Sequence, residues 1–139
     1  MRCLFCYQEL PGAEIDFHAS CNRKFFGSVL PPELPFDESQ LKELGLQFIQ
    51  NQMAVTGVQP KLSLHLEAGV TKNAPKRFTI VGFMGEYILK PPSERYPQLP
   101  EVEDLTMKLA EIVRIKTVPH TLIRSKSGKL AYLTKRIDR

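Results

Sequence analysis

The sequence predicts an α+β fold: an antiparallel sheet carrying one main helix, behind a short cysteine-rich start. Three observations predict it. Leu62, Leu64 and Leu66 alternate with Ser63, His65 and Glu67, the period of a half-buried strand. Further β-rich runs recur at 78–81, 87–90, 121–124 and 130–135, separated by glycine or proline. A single long helical pattern opened by Pro100 interrupts them, and strands grouped around a helix in this way read as α+β.

At 139 residues the chain holds one ordinary core and a small satellite module, and it is too short for two full domains. With 42% hydrophobic and 24% charged residues and no low-complexity tract, it is globular. No apolar run approaches the roughly 20 residues that span a bilayer, and the start lacks the order of a signal peptide, so a cytoplasmic protein without membrane contact is expected. The net charge of +4 suits a phosphate-bearing ligand. Without a basic helix face or interleaved aromatics, no direct nucleic-acid binding is expected.

Cys3, Cys6, His18 and Cys21 read as two pairs, C-x2-C and H-x2-C, with the turn signal Pro11-Gly12 between them. Zinc takes four such ligands in a tetrahedron, and a two-residue spacer lets one tight turn present both members of a pair. A full Cys3His set leaves no open position, so the metal is structural, and it supplies the folding free energy of a segment too short for its own core. The competing reading is a pair of buried thiols with an unrelated histidine. Residues 1–26 thus form a zinc-ribbon-like module whose metal-free form is expected to loosen by itself. Residues 27–36 are a proline-rich linker, with Phe25 and Phe26 pinning the module down.

The main domain runs over 37–139. Asp37 caps a helix with Gln40 three residues on, and Leu41, Leu44, Phe48 and Ile49 form its apolar face. After the strand at 62–67 and a polar turn, the runs 78–81 and 87–90 are expected to pair as a hairpin around Gly82–Gly85. In the helix after Pro100, Glu101, Glu103 and Asp104 fill the first turn, and Leu105, Leu109, Ile112 and Val113 form the expected buried stripe. A second hairpin turns at Ser127-Gly128.

Three features bear on chemistry. Thr56-Gly57-Val58-Gln59-Pro60-Lys61 is a glycine-containing segment before a strand, either a phosphate-cradling loop or an ordinary turn. Lys90 ends a mostly apolar strand, and Glu103 opens the next helix, with Glu101 as its rival. Protein kinases use such a strand lysine and helix glutamate to hold nucleotide phosphates. A surface lysine and an acid favouring the helix dipole explain the same residues equally well.

The run from Val55 to the end resembles the HipA family of serine/threonine kinase toxins. The resemblance rests on Thr56–Leu64, Tyr87–Pro92, Leu99–Ala110 and Thr134–Arg139, in order and at natural spacing, and the Cys/His start is similar to a leader on some HipA-like subunits. It implies a kinase N-lobe in which Thr56, Gly57, Val58 and Gln59 form the phosphate loop. Lys90 contacts the phosphates, Glu103 is the helix acid, and Lys135 with Ile137 lies at the adenine hinge. It also implies ATP as cofactor and phosphorylation of a translation protein such as an aminoacyl-tRNA synthetase, with a helix-turn-helix antitoxin as partner.

Two departures accompany the resemblance. Ala54 stands where the family carries an autophosphorylated serine, leaving Thr56 as the hydroxyl next to Gly57. The family's catalytic and metal-binding aspartates belong to a C-lobe expected beyond Arg139. The chain alone is therefore expected to be inactive, with magnesium held only once a separate or downstream C-lobe completes the site. The alternative is a non-catalytic, zinc-containing protein-interaction module of a toxin–antitoxin system.

Overall fold

The structure is a computed structural model that describes residues 1–51, 61–81 and 85–137. Helix α1 (Ala19–Phe26) was not among the elements read from the sequence. It buries Cys21, Asn22, Phe25 and Phe26 along one side, and Arg23 and Lys24 in its last turn suit the negative end of its dipole. Gly27 stops it, with φ of 74° and its N–H donating to the Arg23 carbonyl.

Helix α2 (Glu38–Asn51) begins with the expected reciprocal cap. The Gln40 N–H donates to Asp37 Oδ1 at 2.9 Å, and the Asp37 N–H donates to Gln40 Oε1 at 3.0 Å. Leu41 is fully buried and Leu44 half-buried, as the pattern predicts; the side chains of Phe48 and Ile49 lie outside the described ones.

Strands β1 (Leu62–Glu67), β2 (Arg77–Val81), β3 (Tyr87–Lys90), β4 (His120–Arg124) and β5 (Leu130–Lys135) form one antiparallel sheet in the order β2-β1-β3-β5-β4. The β4–β5 hairpin turns as expected, with Gly128 at φ of 92°. The expected pairing of β2 with β3 is corrected: both pair with β1, on its two edges. Gly85 shows why a glycine stands there. A Cβ at this position would lie 2.3 Å from the Leu64 carbonyl oxygen, and the Gly85 N–H donates to Ser63 Oγ at 2.9 Å. The glycine serves a close crossing over β1 rather than a hairpin turn.

The period of two sorts the sheet into two faces. Leu62, Leu64, Tyr87, Leu89 and Leu133 share one by register, whereas Ile88, Lys90, Tyr132 and Thr134 share the other. The first face receives the cysteine-rich start. Phe26 lies 6.1 Å from Phe78 and Phe25 lies 6.1 Å from Tyr87, ring centre to ring centre, so residues 1–26 and the sheet share one hydrophobic core. The start also covers β4 at the edge of the sheet, where Thr121 Oγ1 donates to the Leu4 carbonyl at 3.1 Å and Arg124 pairs with Asp16 at 2.7 Å. Between 27 and 36, Leu34 is buried and Glu33 bridges to Arg77.

Helix α3 (Leu99–Ile112) packs on β5 and β4. Its expected inward stripe is reversed. Leu105, Leu109, Ile112 and Val113 are exposed by 49%, 54%, 75% and 66%, while Asp104 is fully buried. The acids of the inner face find partners in the sheet, so the helix turns its polar side inward and its apolar side out. Among the described residues, no helix is long and apolar enough to cross a membrane.

Candidate functional site

Lys90 is the last residue of β3, where Pro91 ends the strand, and its side chain rises on the α3 side. Glu103 comes down from α3. Lys90 Nζ donates to Glu103 Oε1 at 2.9 Å, with the side chains 26% and 22% accessible, and the ammonium lies 5.5 Å from the centre of the Tyr132 ring. Glu101, the rival in sequence, makes no pair with Lys90 among the described residues. The other oxygen of Glu103 is buried without a partner there.

The pair borders a cleft of about 440 Å³ between β3, β5 and α3. Its walls combine Ile88, Val102, Met107 and Val118 with the polar Lys61, Thr106, Tyr132 and Thr134. Two lysines against one carboxylate make it electropositive, suited to an anion with an apolar neighbour. Tyr132 stays protonated at all ordinary pH, because burial and then the carboxylates of Asp104, Glu103 and Glu111 push its hydroxyl up. A larger cavity of about 920 Å³ lies between the start of α2 and Pro91–Arg95, where the acids Asp37, Glu38, Glu43 and Glu94 outnumber Lys42, Arg95 and Lys129.

The remaining residues singled out by sequence are placed unevenly. Thr56, Gly57, Val58 and Gln59 lie outside the described residues, as does Ala54; Lys61, the first described residue after them, lines the cleft. The Lys135 side chain is on the opposite face of the sheet, its ammonium 4.9 Å from the Phe25 ring centre, and burial pulls its pKa down. Ile137 is 73% exposed just past β5, where the Arg136 N–H donates to the Glu86 carbonyl at 2.8 Å.

The second cluster is the Cys/His group. The thiols of Cys3, Cys6 and Cys21 and a ring nitrogen of His18 all lie within 4.8 Å of one another. His18 Nε2 donates to the Glu9 carbonyl at 2.9 Å, which leaves Nδ1 facing Cys6 Sγ at 3.4 Å and Cys21 Sγ at 3.7 Å. An outer hydrogen bond that selects the tautomer is the usual support of a metal-bound histidine. Burial pushes the Cys3 thiol up, but the N–H groups of Cys6, His18 and Phe5 together outweigh it and bring it to about 7. Burial and the neighbouring thiols push Cys21 up to about 12, a repulsion that a cation relieves. Three sulfurs and one nitrogen fit zinc, and the four residues can hold a metal ion.

Between the two clusters runs a buried polar network that sequence reasoning missed. His120 Nδ1 meets Asp104 Oδ1 at 2.7 Å, and its Nε2 meets Glu111 Oε1 at 2.7 Å. A ring flanked by two carboxylates donates from both nitrogens only as an imidazolium. Burial lowers the His120 pKa, but the hydrogen bonds to Asp104 and Glu111 outweigh it, and the net shift is upward. The Tyr7 hydroxyl donates to the second oxygen of Asp104. No spacing rule links positions this far apart, and Asp104 reads in sequence as one more acid at a helix start.

A lysine on the third strand paired to a glutamate on the following helix, over an antiparallel sheet, is the arrangement that positions nucleotide phosphates in protein kinases. The chain belongs to the HipA-like family: a family model described as "HipA-like C-terminal domain" matches residues 53–139. It is also 34% identical over 113 residues to a Haemophilus influenzae protein named "Putative kinase", covering 78% of this chain and 30% of that relative. The chain thus spans less than a third of the length of that relative.

Proposed function

We propose that this chain is the nucleotide-binding N-lobe of a HipA-like serine/threonine protein kinase. The observation that carries the reading is the Lys90–Glu103 pair at 2.9 Å, facing the electropositive cleft. Membership in the HipA-like family and the name of the Haemophilus influenzae relative support it. ATP enters with its phosphates on Lys90 and on the segment Thr56, Gly57, Val58 and Gln59, and with its base toward the backbone at Lys135 and Ile137. Among the described residues lining the cleft, Glu103 is the single carboxylate, and it is engaged with Lys90. In this reading the base and the magnesium-holding acids of phosphoryl transfer are supplied by another lobe. The substrate is a hydroxyl on a translation protein such as an aminoacyl-tRNA synthetase, and a helix-turn-helix antitoxin controls the kinase.

Calorimetric titration of ATP against the wild type and Lys90→Met tests the nucleotide reading. Saturable binding that weakens at least tenfold in the variant is expected; equal binding by both proteins refutes the role of Lys90. Transfer of labelled phosphate to a protein, with a lobe carrying the catalytic aspartates present, tests the kinase reading. A second reading, a non-catalytic metal-containing interaction module, draws on the exposed apolar side of α3. ATP-independent partner binding with no nucleotide binding favours it.

A further inference from the structure

We propose that the Cys3/Cys6/His18/Cys21 centre is a metal-dependent clamp on α3, in which the Tyr7 hydroxyl holds Asp104 and thereby sets Glu103 against Lys90. The inference rests on the nucleotide-binding reading and on metal binding by the four ligands, and it assigns Tyr7 as a positioning residue.

Helix α3 packs on β5 and β4 at the surface of the protein. Its apolar side faces outward, so the burial of leucines that anchors most surface helices is missing here. Besides the buried Pro100, what fixes it is polar. The fully buried carboxylate of Asp104 accepts from His120 on one oxygen and from Tyr7 on the other. Lys108, one turn further on, places its ammonium 4.8 Å from the Phe5 ring centre and 5.6 Å from that of Tyr7. Two residues of α3 are therefore tied to one short stretch, 5–7, which contains the ligand Cys6.

That stretch takes its shape from the metal site. Tyr7 follows Cys6 directly and has φ of 67°, a left-handed conformation that a non-glycine residue adopts only when its surroundings hold it there. Its N–H donates to the Cys3 carbonyl at 3.0 Å, closing the turn that brings both thiols to one side. A metal drawing Cys3 and Cys6 together keeps this turn closed and its tyrosine aimed at α3. Glu103 is the neighbour of Asp104 on a rigid helix. Any roll of α3 that releases Asp104 turns Glu103 away from Lys90 by the same angle. Metal occupancy and nucleotide affinity are thus coupled through one hydroxyl.

The test compares a fluorescent ATP analogue on zinc-loaded wild type, on chelator-treated wild type and on zinc-loaded Tyr7→Phe. That substitution keeps the ring under Lys108 and removes only the hydroxyl. Expected are one zinc per chain in the loaded proteins, binding about fivefold weaker in Tyr7→Phe, and at least as large a loss on chelation. In a Glu103→Gln background the effect of Tyr7→Phe should vanish, because the tyrosine acts through that glutamate. Wild-type affinity in loaded Tyr7→Phe, or an undiminished loss in the Glu103→Gln background, overturns the proposal. A protein that takes up no zinc overturns its metal half. If loaded wild type binds no nucleotide, the nucleotide reading falls, and hydrogen exchange decides the clamp. Amides of 99–112 must then lose protection both in Tyr7→Phe and on chelation, and unchanged protection refutes it.

Discussion

Glu103 and Asp104 are consecutive on α3 and turn to different partners: Glu103 meets Lys90 at 2.9 Å beside the cleft, and Asp104 meets His120 at 2.7 Å in the interior. The first pair keeps about a quarter of its side-chain surface in solvent, whereas Asp104 has none. Two acids that look alike in sequence are therefore expected to behave differently when neutralised.

Glu103→Gln should change stability by no more than about 1 kcal/mol, because partly exposed pairs are worth little. Asp104→Ala leaves the buried imidazolium with Glu111 alone and strands the Tyr7 hydroxyl, and should destabilise by about 3–5 kcal/mol. Urea unfolding of both variants checks the contrast. Similar midpoints would show that Asp104 is not a buried anchor of α3.

His120 makes stability depend on pH. Its pKa is raised on folding, since hydrogen bonds to Asp104 and Glu111 outweigh burial. Its contribution is complete below the unfolded value of about 6.5 and is lost as pH rises through the raised folded value. NMR titration of the imidazole in zinc-loaded protein should show a midpoint above 6.5, and zinc-loaded His120→Gln should lose this part of the pH dependence. A His120 that titrates below 6.5 contradicts the network as drawn.

The metal centre predicts one zinc per chain by elemental analysis, lost in Cys6→Ser. Because the start shares its core with the sheet through Phe25, Phe26, Phe78 and Tyr87, chelation should lower the melting temperature of the whole protein as one transition. A metal-free preparation that melts at the same temperature would count against the site.

Gly85→Ala forces a Cβ to within 2.3 Å of the Leu64 carbonyl oxygen, where the neighbour is backbone and has little freedom to move. A loss of about 1–3 kcal/mol is expected, the usual cost of overpacking. Thermal unfolding indistinguishable from the wild type would show that the crossing over β1 is looser than this.

Local patterns were legible in the sequence, and choices between partners were not. The alternation at Leu62–Glu67, the Asp37/Gln40 cap and the Ser127-Gly128 hairpin are each decided within a few residues, and each stands in the structure. The β2–β3 hairpin failed because a glycine-bounded loop signals a change of direction without saying which edge the next strand joins. The α3 stripe failed because periodicity groups residues on one face but does not say which face turns inward. Here Asp104, Glu103 and Glu111 found partners in β3 and β4, and that decided the orientation. Lys90 and Glu103 could be nominated from their order along the chain. The network of Tyr7, Asp104 and His120 spans 97 positions from Tyr7 to Asp104, beyond any local signal.

Affinity along the series adenosine, AMP, ADP and ATP shows whether the Lys90 cleft receives nucleotide phosphates. Displacement of a fluorescent ATP analogue should tighten with each added phosphate in the wild type, by at least tenfold from AMP to ATP, and the series should flatten in Lys90→Met. Affinity independent of phosphate number in the wild type, or a phosphate dependence that survives in Lys90→Met, would rule out phosphate binding by Lys90.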